Sequence, residues 1–100
     1  MKYVRLSVDG PIWVYKFPDE VADNLLKYCK EFLDWFHEEP KFEYRRKNGY
    51  DPISELLDYL TLEVQPEWKK EIEFVCVYDD WDIPDEQLPE EYRDSPWFNF

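Results

Sequence analysis

An α+β domain is the fold class this 100-residue sequence predicts, and three stretches predict it. KYVRLSVDGPIWVYKF alternates apolar and polar residues on either side of Asp9-Gly10, the pattern of a β-hairpin. VADNLLKYCKEFLDWF repeats its apolar residues at helical spacing. KEIEFVCVYDDW is a short run of β-branched and aromatic residues, the signature of a strand. The expected architecture is an N-terminal β-hairpin, one long amphipathic helix, a short second helix, a buried central strand and an irregular acidic-aromatic C-terminal segment, all in a single domain spanning residues 1–100.

In the first strand, Val4, Leu6 and Val8 point to one face and Tyr3, Arg5 and Ser7 to the other. Asp9 and Gly10 tolerate the positive φ of a tight hairpin turn. Pro11 cannot donate to a sheet ladder, so the second strand, Ile12 to Phe17, starts at an edge or with its nitrogen toward water. Pro18-Asp19-Glu20 opens the helix, with acids at the positive end of its dipole. From Val21 to Phe36 the apolar residues fill about half the helical cylinder. Pro40 ends this helix, because the residue before a proline resists helical φ and ψ.

KFEYRR alternates Phe42 and Tyr44 against charged neighbours and reads as a short strand, followed by a turn at Asn48-Gly49. Asp51-Pro52 is a helix cap with proline at the first position, and Ile53, Leu56, Leu57 and Leu60 make a shorter apolar stripe. The stripe stops at Gln65-Pro66. Ile72, Phe74, Cys76 and Tyr78 share one face of the next strand and Val75 and Val77 the other. A strand apolar on both faces is expected at the centre of its sheet. Pro84, Pro89 and Pro96 exclude long regular elements beyond it.

The composition is unusual in two ways. Aromatic residues make up 20% of the chain, enough to build a dense core in a small domain. Acids outnumber bases 24 to 12, a formal net charge of −12, well beyond the roughly 2–8 that solubility asks of a small domain. That sign repels phosphate, so no direct nucleic-acid binding is expected. Cys29 and Cys76 sit among apolar residues and make no disulfide framework. Neither a signal peptide nor an apolar run of membrane-spanning length is visible, so no membrane partner is expected and the cytoplasm is the expected location.

Little in the sequence points to catalysis. Gly10 and Gly49 are the only glycines, so no phosphate-cradling loop can be built. No Gly-x-Ser-x-Gly elbow exists. The single histidine, His37, falls near a helix C-terminus, where the dipole favours it, and Cys29 lies two turns earlier on the buried stripe. One His and two distant Cys do not make a zinc site, and the acidic run from Asp79 to Glu86 lacks the glycine of a calcium loop. No catalytic residue, metal or cofactor is assigned, and the chain is expected not to be an enzyme.

Residues 79–100 carry eight acids and one base, Arg93, so much of the net charge falls on the last fifth of the chain. The same stretch holds Trp81, Tyr92, Trp97, Phe98 and Phe100. Some of these aromatics are expected to fold back and complete a core. Others are expected to stay on the surface as anchors, since interface energy concentrates in Trp, Tyr and Arg. Surrounding acids would speed encounter with a basic partner. The expected partner-binding residues are Trp81, Tyr92 and Trp97 as anchors, with Asp79, Asp80, Asp82, Asp85, Glu86, Glu90 and Glu91 as steering charges.

A compact acidic domain of this kind resembles, in composition, the bacterial immunity proteins, stoichiometric inhibitors that occlude basic toxins. The resemblance implies a non-catalytic inhibitor of a basic toxin, with nucleases as the leading case. Two other readings stand beside it. One is a phage inhibitor of the anti-CRISPR or anti-restriction type that mimics nucleic acid, although Lys27, Lys30, Lys69 and Lys70 interrupt the acids such a mimic would need. The other is a subunit or adaptor of a larger complex. The sequence does not specify an oligomeric state.

Overall fold

In the computed structural model, residues 1–79 and 88–100 are described. They form a mixed α+β fold in which a four-stranded sheet is covered by helices on one face and by the C-terminal segment on the other. The hairpin is present as expected. β1 (Lys2–Ser7) pairs antiparallel with β2 (Ile12–Phe17), in a register that sets Val4 against Tyr15 and Leu6 against Trp13. Asp9 alone takes positive φ in the turn, at 50°, and Gly10 does not.

The long helix is interrupted. α1 (Asp19–Asp23) and α2 (Leu25–Glu38) meet at Asn24, whose φ is −127° and ψ 33°. The side-chain amide of Asn24 donates to the Glu20 carbonyl at 2.9 Å, a local bond that competes with a continuous helix. Both pieces still present one apolar face to the sheet, with Val21, Ala22, Leu25, Tyr28, Cys29, Phe32 and Phe36 buried.

The stretch expected as a strand at KFEYRR is helical. A 3₁₀ turn at Pro40–Phe42 runs into α3 (Glu43–Asn48). Alternation misleads here because tertiary contacts decide. Phe42 packs on Trp35 at 4.6 Å and Phe36 at 4.8 Å between ring centroids, and Arg46 Nη1 donates to the Phe36 and Glu39 carbonyls at the end of α2. Lys47 and Glu43 add an ion pair at 2.9 Å, one helical turn apart. Gly49 leaves the helix at φ 100°, a conformation that suits glycine.

α4 (Pro52–Asp58) carries the expected cap: Asp51 Oδ1 accepts from the Ile53 amide at 3.0 Å. Glu55 takes no part in a capping box and instead binds Arg45 Nη1 through both oxygens at 2.9 Å. The helix widens into a π turn, Tyr59–Val64, and a 3₁₀ turn at Pro66–Lys70 follows. Trp68 from that turn packs edge-on against Tyr28 and helps close the core.

The strand expected at the centre of the sheet is at its edge among the described residues. The order is β3-β2-β1-β4, with β3 (Glu73–Tyr78) outermost and the hairpin inside. Each of its residues is exposed or half-buried. Its apolar run fits a strand seen from two half-covered faces as well as one fully buried, and the pattern alone does not separate the two. A bulge falls between Phe74 and Cys76, where Val75 has no partner in β2.

The C-terminal segment is more regular than its prolines suggest. Leu88 leads into α5 (Glu90–Arg93), and β4 (Trp97–Asn99) then adds parallel to β1. β1 is thereby paired on both sides. Phe98 and Phe100 turn toward the helical core, with the Phe100 ring edge-on to Phe32 at 6.0 Å. Asn99 and Asp9 exchange two hydrogen bonds, at 2.8 and 3.0 Å, which tie the end of the chain to the hairpin turn.

Candidate protein-binding surface

The alternation of β1 defines the site. Val4 and Leu6 face the helices, so Tyr3, Arg5 and Ser7 face away, together with Val14 of β2 and with Cys76 and Tyr78 of β3. An uncovered face of this kind would leave Arg5 in water. Instead Arg5 is 9% exposed, because residues from Leu88 onward lie over it.

Arg5 also holds that cover in place. Its Nη2 donates to the Arg93 carbonyl at 3.2 Å and the Ser95 carbonyl at 2.9 Å. Its amide donates to the Pro96 carbonyl at 2.8 Å. Within the segment, Arg93 Nε donates to the Leu88 carbonyl, and Ser95 bonds the Tyr92 carbonyl through both amide and hydroxyl. Leu88 and Tyr92 are buried, at 1% and 8% exposure. The Tyr92 ring stands edge-on to Tyr3 at 4.9 Å and near Tyr78 at 6.4 Å. Burial, followed by the neighbouring Cys76 and Glu91, pushes the Tyr92 hydroxyl up to about 12.

What remains outward on this layer is mainly acidic and aromatic, with one base, Arg93, among the acids. Glu90, Glu91 and Asp94 are exposed, and Trp97 is 64% exposed in the row that runs across the sheet from Cys76 through Val14 and Arg5. A shallow, open hollow borders Pro89, Glu90 and Glu91. The backbone beneath these side chains is tied to β1 by the hydrogen bonds from Arg5.

The expected site residues divide into four groups. Glu90, Glu91 and Trp97 lie on this layer and are exposed. Asp79 is exposed but lies at the end of β3, at the opposite edge of the sheet from Trp97. Tyr92 faces the sheet, so it supports the layer from beneath and is not an exposed anchor. Asp80, Trp81, Asp82, Asp85 and Glu86 lie outside the described residues.

Sequence reasoning passed over two surface aromatics. Trp13 and Phe74 are 36% and 49% exposed and pack together at 5.8 Å on the helical side of the sheet, at its β3 edge. Phe74 belongs to the edge strand β3 and Trp13 to β2 beside it, a position the periodicity does not reveal.

The groups considered for catalysis stay apart. His37 is exposed, whereas Cys29 is fully buried, and burial raises its thiol to about 12, a poor nucleophile. Both cysteines are free. Among the described residues no group of three or more His, Cys, Asp or Glu is arranged to hold a metal ion, and no helix is long and apolar enough to cross a membrane. In comparison with known proteins, the chain matches no family model, and no curated protein or solved structure is significantly similar to it.

Proposed function

We propose that this protein is a non-catalytic acidic inhibitor of the immunity type. In this reading it binds a basic toxin, a nuclease being the leading case, and occludes the toxin's active or substrate-binding surface. The observation that carries the reading is the layer of residues 88–97. An exposed Trp97 and three exposed acids stand there on backbone pinned by Arg5. A net negative charge on that surface, three acids against Arg93, steers a basic partner, and a single Trp serves as an energetic anchor.

Mixed charge elsewhere supports a protein partner over imitation of nucleic acid. On α2, Lys27 and Lys30 are exposed beside Glu31 and Asp34, which breaks the uniform negative spacing a phosphate mimic needs.

The test starts with affinity capture on the full chain in the native organism, followed by inhibition assays on the captured protein. The partner is expected to be basic, and its association rate to fall as salt rises. Reversing Glu90, Glu91 and Asp94 to Lys is expected to slow association roughly tenfold or more at low salt. A matched reversal of Glu31, Asp34 and Asp58 is expected to slow it much less. Equal slowing by the two sets rejects a localised docking face.

A further inference from the structure

We propose that the edge of β3 that carries no strand among the described residues receives a short, extended, basic segment of the partner as an added strand. The inference rests on the reading that the partner is a basic protein, and it deepens that reading by naming a second contact. Among the described residues β3 has a strand on one side only, and from Glu73 to Tyr78 each residue is exposed or half-buried. Such an edge offers a row of unpaired amides and carbonyls, the group that strand addition uses. Beside it, Trp13 and Phe74 form an aromatic platform on the helical side.

Charge selects the occupant. Exposed acids stand at both ends of the strand, Glu73 at its start and Asp79 just past its finish. A second copy of this chain fits poorly. In an antiparallel self-pairing centred on Cys76, Glu73 would lie opposite Asp79, acid against acid, between two chains of net charge −12 each. A foreign strand with a base at each of these positions gains where the second copy loses.

The bulge sets the spacing of those bases. Lys16 of β2 lies opposite Glu73 and Ile12 opposite Tyr78, so β2 covers this stretch with one residue fewer than β3. A regular strand on the outer edge makes the same economy. Its bases then fall five residues apart, on opposite faces, because Val75 is the extra residue. The bulge also twists the edge, which discourages long, indiscriminate pairing and suits a short segment.

The probe is a synthetic decapeptide of alternating Val and Thr, with Lys at its third position and Arg at its eighth. It is titrated into the full ¹⁵N-labelled chain and followed by amide chemical shifts. Shift changes are expected at Glu73–Asp79 and at the Trp13 indole. Peptide N-methylated at alternate amides is expected to bind roughly tenfold more weakly or worse, since it cannot complete the ladder. Glu73→Lys with Asp79→Lys, both exposed positions, is expected to weaken binding by a similar factor. Shifts confined to residues 88–97, or equal binding of the N-methylated peptide, overturn the added strand and leave the acidic layer standing. Equal binding of a peptide with Glu in place of both bases overturns the added strand and the basic-partner reading together. Concentration-dependent shifts at β3 in the chain alone would make a second copy the occupant and overturn the proposal.

Discussion

The two faces of the sheet are closed by different means. On the helical face, rings from α2, the turn after it and the C-terminus interlock, with Phe36 alone meeting Phe32, Phe42 and Tyr50 at 5.7, 4.8 and 4.5 Å. On the other face one short segment lies over Arg5 and is held mostly by hydrogen bonds to its own carbonyls. The first arrangement draws on buried apolar area, which is non-directional and large. The second draws on geometry, with less apolar burial behind it. The difference teaches that the apolar core lies under the helices, while the layer proposed to meet a partner lies over the arginine.

The sharpest way to break this contrast is to attack the helical face. Phe36→Ala removes a fully buried ring from the centre of the aromatic cluster. The expected loss is about 3–5 kcal/mol, a large part of the roughly 5–15 kcal/mol that holds a small domain together. Urea unfolding followed by tryptophan fluorescence measures it. A loss below about 1 kcal/mol would mean that this cluster is not the main core.

Arg5→Met keeps a long side chain but removes the donors that reach the Arg93 and Ser95 carbonyls. The expected cost is about 1–3 kcal/mol. Its location matters more than its size. Hydrogen exchange should become fast across residues 88–97, while amides of α2 stay the best protected in the chain. A uniform loss of protection in both regions would show that cover and helices form one cooperative unit, and the contrast drawn above would fail.

Much of this division was legible in the sequence, and the failures have physical causes. The α+β class, the hairpin, the helical face and the Asp51 cap rest on local periodicity and local hydrogen bonds, which a sequence displays directly. The break at Asn24 was also local, but the strong apolar period on both sides hid it. The edge position of β3 and the helix at Glu43–Asn48 depend on what packs against them, and no window of residues contains that. Arg5 is the clearest case on the candidate site. Alternation correctly turned it away from the helices, yet nothing in KYVRLS says that residues almost ninety positions later return to cover it. Trp97 and the acids at 90–91 are exposed as expected, while Tyr92 is buried, because composition does not distinguish a ring facing out from one facing in.

Alkaline titration separates the two faces by a smaller effect. Tyr28 under the helices and Tyr92 under the cover are both raised to about 12 from the ordinary value near 10, in each case chiefly by burial. Tyr28 also donates to Glu20 Oε1 at 3.0 Å. A raised folded value means that the native state holds these protons more tightly than the unfolded chain. Their contribution is therefore complete below pH 10 and is lost as pH rises from about 10 to 12. Urea midpoints should fall across that window, and Tyr92→Phe and Tyr28→Phe should each make the fall shallower. An unchanged slope in Tyr92→Phe would place that hydroxyl in water and remove the cover's apolar contact with the sheet.

The smallest effect is expected where function is proposed. Trp97 lies mostly in solvent, so Trp97→Ser should change stability by no more than about 0.5 kcal/mol and leave exchange at 88–97 as in the parent chain. The backbone bonds that seat this edge come from Arg5 to Pro96 and from Phe100 to Ser7, and neither uses the indole. Partner affinity, rather than folding, is the role proposed for this ring. Paired measurements of unfolding and of partner dissociation on the same variant therefore decide between the two. A loss of stability well above 1 kcal/mol would assign Trp97 to the fold. A faster dissociation with stability unchanged would assign it to the partner.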